Sequence, residues 1–175
     1  MKKELLTSVL LSMFVVFGGT NLFAEEIKSN NHSIVLAPAG GEDDREEISA
    51  QAIKEFRRMF SIASNEIWYK VSDGYIAKFV HEGIQYRAGY NAKGRWINTI
   101  KSYAASKLPA DVKYKVKSAY SDFEIVFVDE IILPYDMGYV IHLENDIEIK
   151  KLVVTDIDSD IHVLEAFQKR WNNRE

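Results

Sequence analysis

Few groups in this 175-residue chain have a spacing suited to chemistry, and the clearest is the run Asp156-Ile157-Asp158-Ser159-Asp160. Alternating carboxylates on a turn can gather oxygens around a hard cation such as calcium. An EF-hand loop also needs glycine at its sixth position and glutamate at its twelfth, where this chain has Ile161 and Phe167. The run therefore reads as an acidic hairpin turn, with Asp156, Asp158 and Asp160 the candidate ligands for calcium if a metal binds. The segment His81-Glu82-Gly83-Ile84-Gln85 lacks the second histidine of a zinc-protease helix and falls on a turn. Asp129 and Glu130 are neighbours in a strand, so their side chains point to opposite faces and cannot act as one acid–base pair. His32 lies in an acidic N-terminal stretch and His142 in mid-strand. With no cysteine, no G-x-S-x-G elbow and no phosphate-binding loop, the sequence predicts no catalytic residue, no enzyme activity and no cofactor.

What remains is recognition, and the charges are informative once mapped. Residues 48–117 carry 13 bases and 5 acids, and residues 118–175 carry 5 bases and 13 acids. The two stretches therefore have net charges of +8 and −8. Such a split draws the two stretches together, or is the ordinary charge of solvated strand faces, or steers one stretch toward an oppositely charged partner. Nucleic acid is not expected, because the whole chain has a net charge of −4 and no basic motif of a recognised kind.

The elements that carry these charges occur twice. Ala52, Phe56, Met59 and Phe60 share the helical spacing of Val112, Val116, Ala119 and Tyr120. Gly74-Tyr75-Ile76-Ala77-Lys78-Phe79 is echoed by Gly138-Tyr139-Val140-Ile141-His142-Leu143. In the first unit Ser49 is the expected N-cap of a helix to Phe60. Strands are predicted near 66–72, 75–81, 84–90 and 95–103, with turns at Asp73-Gly74, Glu82-Gly83 and Asn91-Ala92-Lys93-Gly94. Those turns set Ser72 opposite Tyr75, Trp68 opposite Phe79, and Phe79 opposite Tyr86. One face then collects Trp68, Tyr75, Ala77, Phe79, Ile84, Tyr86, Ala88 and Tyr90, joined by Trp96 if the last turn carries a bulge. This is the expected helix-covered core. The other face reads Tyr69, Val71, Ile76, Lys78, Val80, Gln85, Arg87, Ile97 and Thr99, a mixed surface open to a partner.

The second unit opens at Leu108-Pro109, with proline expected at the first helical position. A helix over 110–120 leads to strands near 123–133, 139–144, 147–155 and 161–167, with a long connection Pro134–Gly138. The fold class is α+β: a tandem repeat of one helix packed on a roughly four-stranded antiparallel sheet. The remaining segments are a signal peptide at 1–24, an acidic tether at 25–47 and a C-terminal tail at 169–175; the repeats occupy 48–107 and 108–168. Lys2 and Lys3, an apolar run and the small Ala24 make the export signal. Without a cysteine for lipid attachment, the predicted location is the periplasm or the exterior.

Trp68, Gly74-Tyr75, Phe79, Tyr90, the Asn91-x-x-Gly94-x-Trp96 turn and Leu108-Pro109 together resemble the PepSY-like, beta-lactamase-inhibitor-like family of exported bacterial proteins. The resemblance covers roughly residues 48–168. It implies an architecture similar to the beta-lactamase inhibitory protein, which grips an enzyme with an open sheet and protruding loops. That inhibitor carries disulfides, this chain has no cysteine, and no inhibitory-loop motif transfers residue by residue. The expected function is a non-catalytic exported binding module, with an inhibitor or regulatory partner of another exported or envelope protein as its most specific form. Its candidate contacts are Tyr69, Ile76, Lys78, Arg87, Tyr135 and Asp136. A small-molecule or envelope-signal sensor and a small hydrolase are the alternatives.

Overall fold

The computed structural model describes residues 45–155 and 160–169. Two ten-residue helices, α1 (Ala50–Met59) and α2 (Ala110–Ala119), each precede four strands. These are β1 (Ile67–Val71), β2 (Gly74–His81), β3 (Ile84–Asn91) and β4 (Trp96–Tyr103), then β5 (Glu124–Leu133), β6 (Asp136–Glu144), β7 (Glu148–Thr155) and β8 (Ile161–Gln168). All eight lie in one antiparallel sheet in chain order, β1 to β8. The expectation of four-stranded sheets is thus corrected. Thr99–Tyr103 of β4 pair with Val128–Ile132 of β5, and this ladder carries one sheet through the middle of the chain.

Both helices pack on one face of the sheet. Ala52 and Phe56 of α1 sit against Trp68, Ala77, Phe79, Ala88 and Tyr90, all buried. The Phe56 ring meets Trp68 and Phe79 edge-on at 5.3 and 5.4 Å, and Phe79 stacks on Tyr86 at 4.6 Å. Burying a phenylalanine stabilises by about 1.5–3 kcal/mol, and well-oriented aromatic pairs add about 0.5–1.5 kcal/mol. Val116 of α2 joins a second cluster with Tyr103, Val128, Ile141, Leu143 and Leu152, and Ile84 packs there rather than in the first core.

The helices end alike. The amide of Phe60 donates to the Phe56 carbonyl and that of Tyr120 to the Val116 carbonyl, at 2.8 and 2.9 Å. Ser49 and Pro109 hold the N-cap positions, and neither makes a side-chain cap. Proline thus stands one residue before the position expected of it; its carbonyl takes the Lys113 amide at 2.9 Å.

The first hairpin differs from expectation by a small register shift. Val71 pairs Gly74 and Trp68 pairs Ala77, so the turn is Ser72-Asp73 and glycine lies inside the ladder. The reason is crowding from β3: a Cβ on Gly74 would fall 1.9 Å from the Tyr90 carbonyl oxygen. The Phe79–Tyr86 pairing is as expected, and a bulge at Gly89/Tyr90 brings Trp96 opposite Tyr90. That bulge also corrects Thr99, which pairs with Ala88 on the helix side and accepts a hydrogen bond from the Trp96 indole at 2.9 Å.

The turn between β3 and β4 shows why its sequence is Asn-x-x-Gly. The Asn91 side-chain oxygen accepts from the Lys93 and Arg95 amides at 3.0 and 3.1 Å. Gly94, at φ +74°, donates to the Asn91 carbonyl at 2.8 Å. A Cβ there would lie 2.6 Å from the Ala52 amide nitrogen, so the turn fits beneath α1 only as glycine. Gly83, at φ +72°, has open space around it. Gly94→Ala is expected to cost about 2–3 kcal/mol in urea unfolding, combining positive-φ strain with displacement of α1, and Gly83→Ala about 1 kcal/mol.

The Tyr90 hydroxyl is buried without a hydrogen-bond partner. Burial first, and then the Glu55 charge, raise its pKa well above the ordinary 10.0. Its contribution to stability is therefore whole below pH 10 and is lost as pH climbs toward the raised value. Tyr90→Phe should be at least as stable as wild type at neutral pH, and its thermal midpoint should fall less steeply above pH 10.

Candidate functional site

Alternation along the strands sends a different set of side chains to the face that neither helix covers. Strand pairing sets these in rows: Tyr69, Ile76, Gly89 and Asn98; then Ile67, Lys78, Arg87, Ile100 and Ile131; then Val80, Gln85, Ser102, Asp129, Val140 and Val153. Four of the six expected contact residues, Tyr69, Ile76, Lys78 and Arg87, thus lie together on β1–β3. Val71 and Val80 beside them are exposed by 38% and 61%.

Tyr135 and Asp136 lie elsewhere. The expected long connection is a two-residue turn, Pro134-Tyr135, because Leu133 pairs directly with Asp136. Tyr135 is fully exposed at the tip, whereas Asp136 opens β6 and its carboxylate accepts the Met137 amide at 2.8 Å.

Sequence reasoning missed the most organised polar cluster, which lies at the middle of this face. Asp129 is buried, and its Oδ1 accepts the Ser102 hydroxyl at 2.5 Å and faces the Arg87 guanidinium at 3.4 Å. His142 Nε2 stands 3.6 Å from Asp129 Oδ2, and the imidazole packs on Phe127 at 5.2 Å. The signal that could have found it is register: Ser102 pairs with Asp129, and Asp129 with Val140, two residues from His142.

Serine, histidine and aspartate in one place invite comparison with a hydrolase triad. There the histidine sits between the other two and takes the serine proton. Here the carboxylate is in the middle and the serine donates to it, so no histidine stands between the two to take the serine proton. The arrangement fixes a buried carboxylate; it does not activate a nucleophile.

Glu130 points to the helix side, as strand alternation requires. It takes the Lys101 ammonium and the Tyr103 hydroxyl, both at 2.8 Å. Burial and the bond to Glu130 raise the Tyr103 phenol well above its ordinary pKa. The expectation that Asp129 and Glu130 do not form one pair therefore agrees with the structure.

Lys78 is placed differently from these partnered groups. Its ammonium lies over the Tyr69 ring, 4.5 Å from the centroid, and has no carboxylate partner among the described residues. Burial, and then the adjacent Arg87 charge, lower its pKa.

Of the calcium candidates, Asp156 and Asp158 lie outside the described residues and Asp160 is exposed. Among the described residues no group of acids or histidines is arranged to hold a metal. One hollow is lined by Phe56, Arg57, Phe60, Ser61, Ala63 and Glu66, at the C-terminal end of α1 and within the first half alone. Lys169, the last of the described residues, is held at both ends: its amide donates to the Ile147 carbonyl at 2.8 Å and its ammonium pairs with Glu144.

No protein-family model and no curated protein matches the chain. Solved structures share its fold. A BLIP-like protein from Bacteroides fragilis superposes with a TM-score of 0.58 at 16% identity, covering 71% of this chain and 92% of its own. A DUF2874 family protein from Bacteroides ovatus gives 0.58 at 19% identity, covering 69% and 87%. A protein of Bacteroides eggerthii whose expected location is the periplasm gives 0.56 at 17% identity, covering 69% and 88%.

The cluster around Asp129 supports a test of its role. Asp129→Ala removes the anion that Arg87 and Ser102 share, and should cost about 2–4 kcal/mol in chemical unfolding. Glu165→Ala removes the more exposed partner of Lys151, 2.9 Å away, and should cost less than about 1 kcal/mol.

Proposed function

We propose that this chain is an exported, non-catalytic binding module that takes another exported or envelope protein on the face of β1–β3 that neither helix covers. The observation that carries this reading is the placement of both helices on one face, which leaves Tyr69, Ile76, Lys78 and Arg87 together on the other beside exposed Val71 and Val80. Apolar groups beside a few charged ones are the usual make-up of a protein-recognition patch. The carboxylate-centred geometry at Ser102 supports the absence of hydrolase chemistry.

The finer reading is of two PepSY-like copies joined into one sheet. The matched helix stripes, the like helix ends at Phe60 and Tyr120, and the order of one helix and four strands in each half support it. Export is supported by the basic and apolar N-terminal run of the sequence and by the expected location of the Bacteroides eggerthii neighbour. Inhibition or regulation of an envelope enzyme is the most specific form of the proposal, and the BLIP-like neighbour motivates it.

A photo-crosslinking amino acid placed at Val80 should give light-dependent adducts in the envelope of the producing cell. The same group at Tyr114, exposed on α2, should not. Adducts from Tyr114 alone would place the interface on the helices and end this reading.

A further inference from the structure

Lys78 is the cation on the uncovered face whose surroundings ask for an anion. It is half-buried, and Arg87 stands directly opposite it on β3. Like charges directly opposite on neighbouring strands repel. Arg87 has Asp129 at 3.4 Å to offset this, whereas Lys78, without a carboxylate partner among the described residues, lies over the Tyr69 ring. A ring face attracts an ammonium without neutralising it, and leaves the donors that point away from it available. Burial and the Arg87 charge both disfavour the charged form of Lys78, and an arriving anion would relieve both penalties at once.

The rim selects among anions. Val71 and Val80 are exposed large apolar residues on the same face as Lys78, and Ile76 lies between Tyr69 and Lys78 in the rows. A free phosphate or a nucleic acid would gain nothing from these groups. A polyanion would also meet the net −8 of residues 118–175. An acidic side chain flanked by aliphatic residues satisfies both parts of the patch.

We propose that Lys78 over Tyr69, framed by Val71, Ile76, Val80 and Arg87, receives a carboxylate carried on an aliphatic, acidic segment of the partner protein. This rests on the binding reading above and specifies the chemistry of its partner. Tyr69 positions the ammonium from below. Arg87, held on Asp129, borders the ammonium from the neighbouring strand, and the valines cover the aliphatic flanks and exclude water from the ion pair.

The test is amide NMR of the exported chain titrated with acetyl-Val-Glu-Leu-Asp-Val-amide, with the Gln/Asn version of the same peptide as control. The acidic peptide should shift resonances of Tyr69, Ile76, Lys78, Val80 and Arg87, and the amide control should bind about tenfold more weakly or not at all. Lys78→Gln should weaken the acidic peptide by about the same factor, and Lys78→Arg should retain it. Equal binding of both peptides on β1–β3 would overturn the carboxylate assignment and leave the binding face standing. Shifts confined to the helices or to β7 and β8 would overturn both. No shifts with either peptide would overturn the carboxylate assignment, leaving crosslinking at Val80 to decide the face. Self-association of the chain abolished by Lys78→Gln would make the occupant a second copy and overturn a foreign partner.

Discussion

The pairing of β4 with β5 is the contact on which the rest of the molecule depends. Without it the chain would be two small units, each with a helix and four strands and each with a bare sheet edge. Five residue pairs join them, and two of those pairs are made of side chains that water would otherwise keep: Ser102 with Asp129, and Lys101 with Glu130. Burying such groups is unfavourable unless each finds its complement. They do. Asp129 serves Ser102 and Arg87 on one face, while Glu130 serves Lys101 and Tyr103 on the other. A slip of one residue would send each of these side chains to the wrong face, so the ion pairs fix register as well as proximity.

The opposed charges of the two halves take on meaning here. Arg87 and Lys101 belong to the basic half, and Asp129 and Glu130 to the acidic half. Part of the asymmetry is thus consumed at the seam, where attraction between halves is the better account. Other ion pairs stay within a half: Lys150 with Glu148, Lys151 with Glu165, and Lys169 with Glu144. Lys78 belongs to neither group: it stands on the face that neither helix covers, over the Tyr69 ring, with no carboxylate partner among the described residues.

Local periodicity made much of this legible in the sequence. Helix stripes identified Phe56 and Val116, and alternation separated Trp68, Ala77 and Phe79 from Tyr69, Ile76 and Lys78. Two-residue turns fixed Phe79 against Tyr86. The errors arose where one element's position depends on another distant in sequence. Gly74 looked like a turn residue, yet its lack of a side chain is required by the Tyr90 carbonyl at the far end of the neighbouring strand β3. Thr99 changed face because of a bulge on its partner strand. The contact between Ser102 and Asp129 joins residues on opposite sides of α2, and no spacing rule within either segment could reveal it.

The order of the strands has a further consequence. Every strand pairs only with its neighbours in the chain, so no segment must wait for a distant one before it can dock. A polypeptide emerging N-terminus first from a narrow channel could therefore assemble as it arrives, each new strand closing on the edge left by the last. The growing structure would expose a single advancing edge, while the 3-10 turn at Arg45–Glu47 already guards the trailing one through Arg45 with Glu66 and Glu47 with Lys70. With no cysteine in the chain, no disulfide exchange would hold up that progression. The topology is suited to vectorial folding, with the threading direction itself keeping wrong strand partners out of reach.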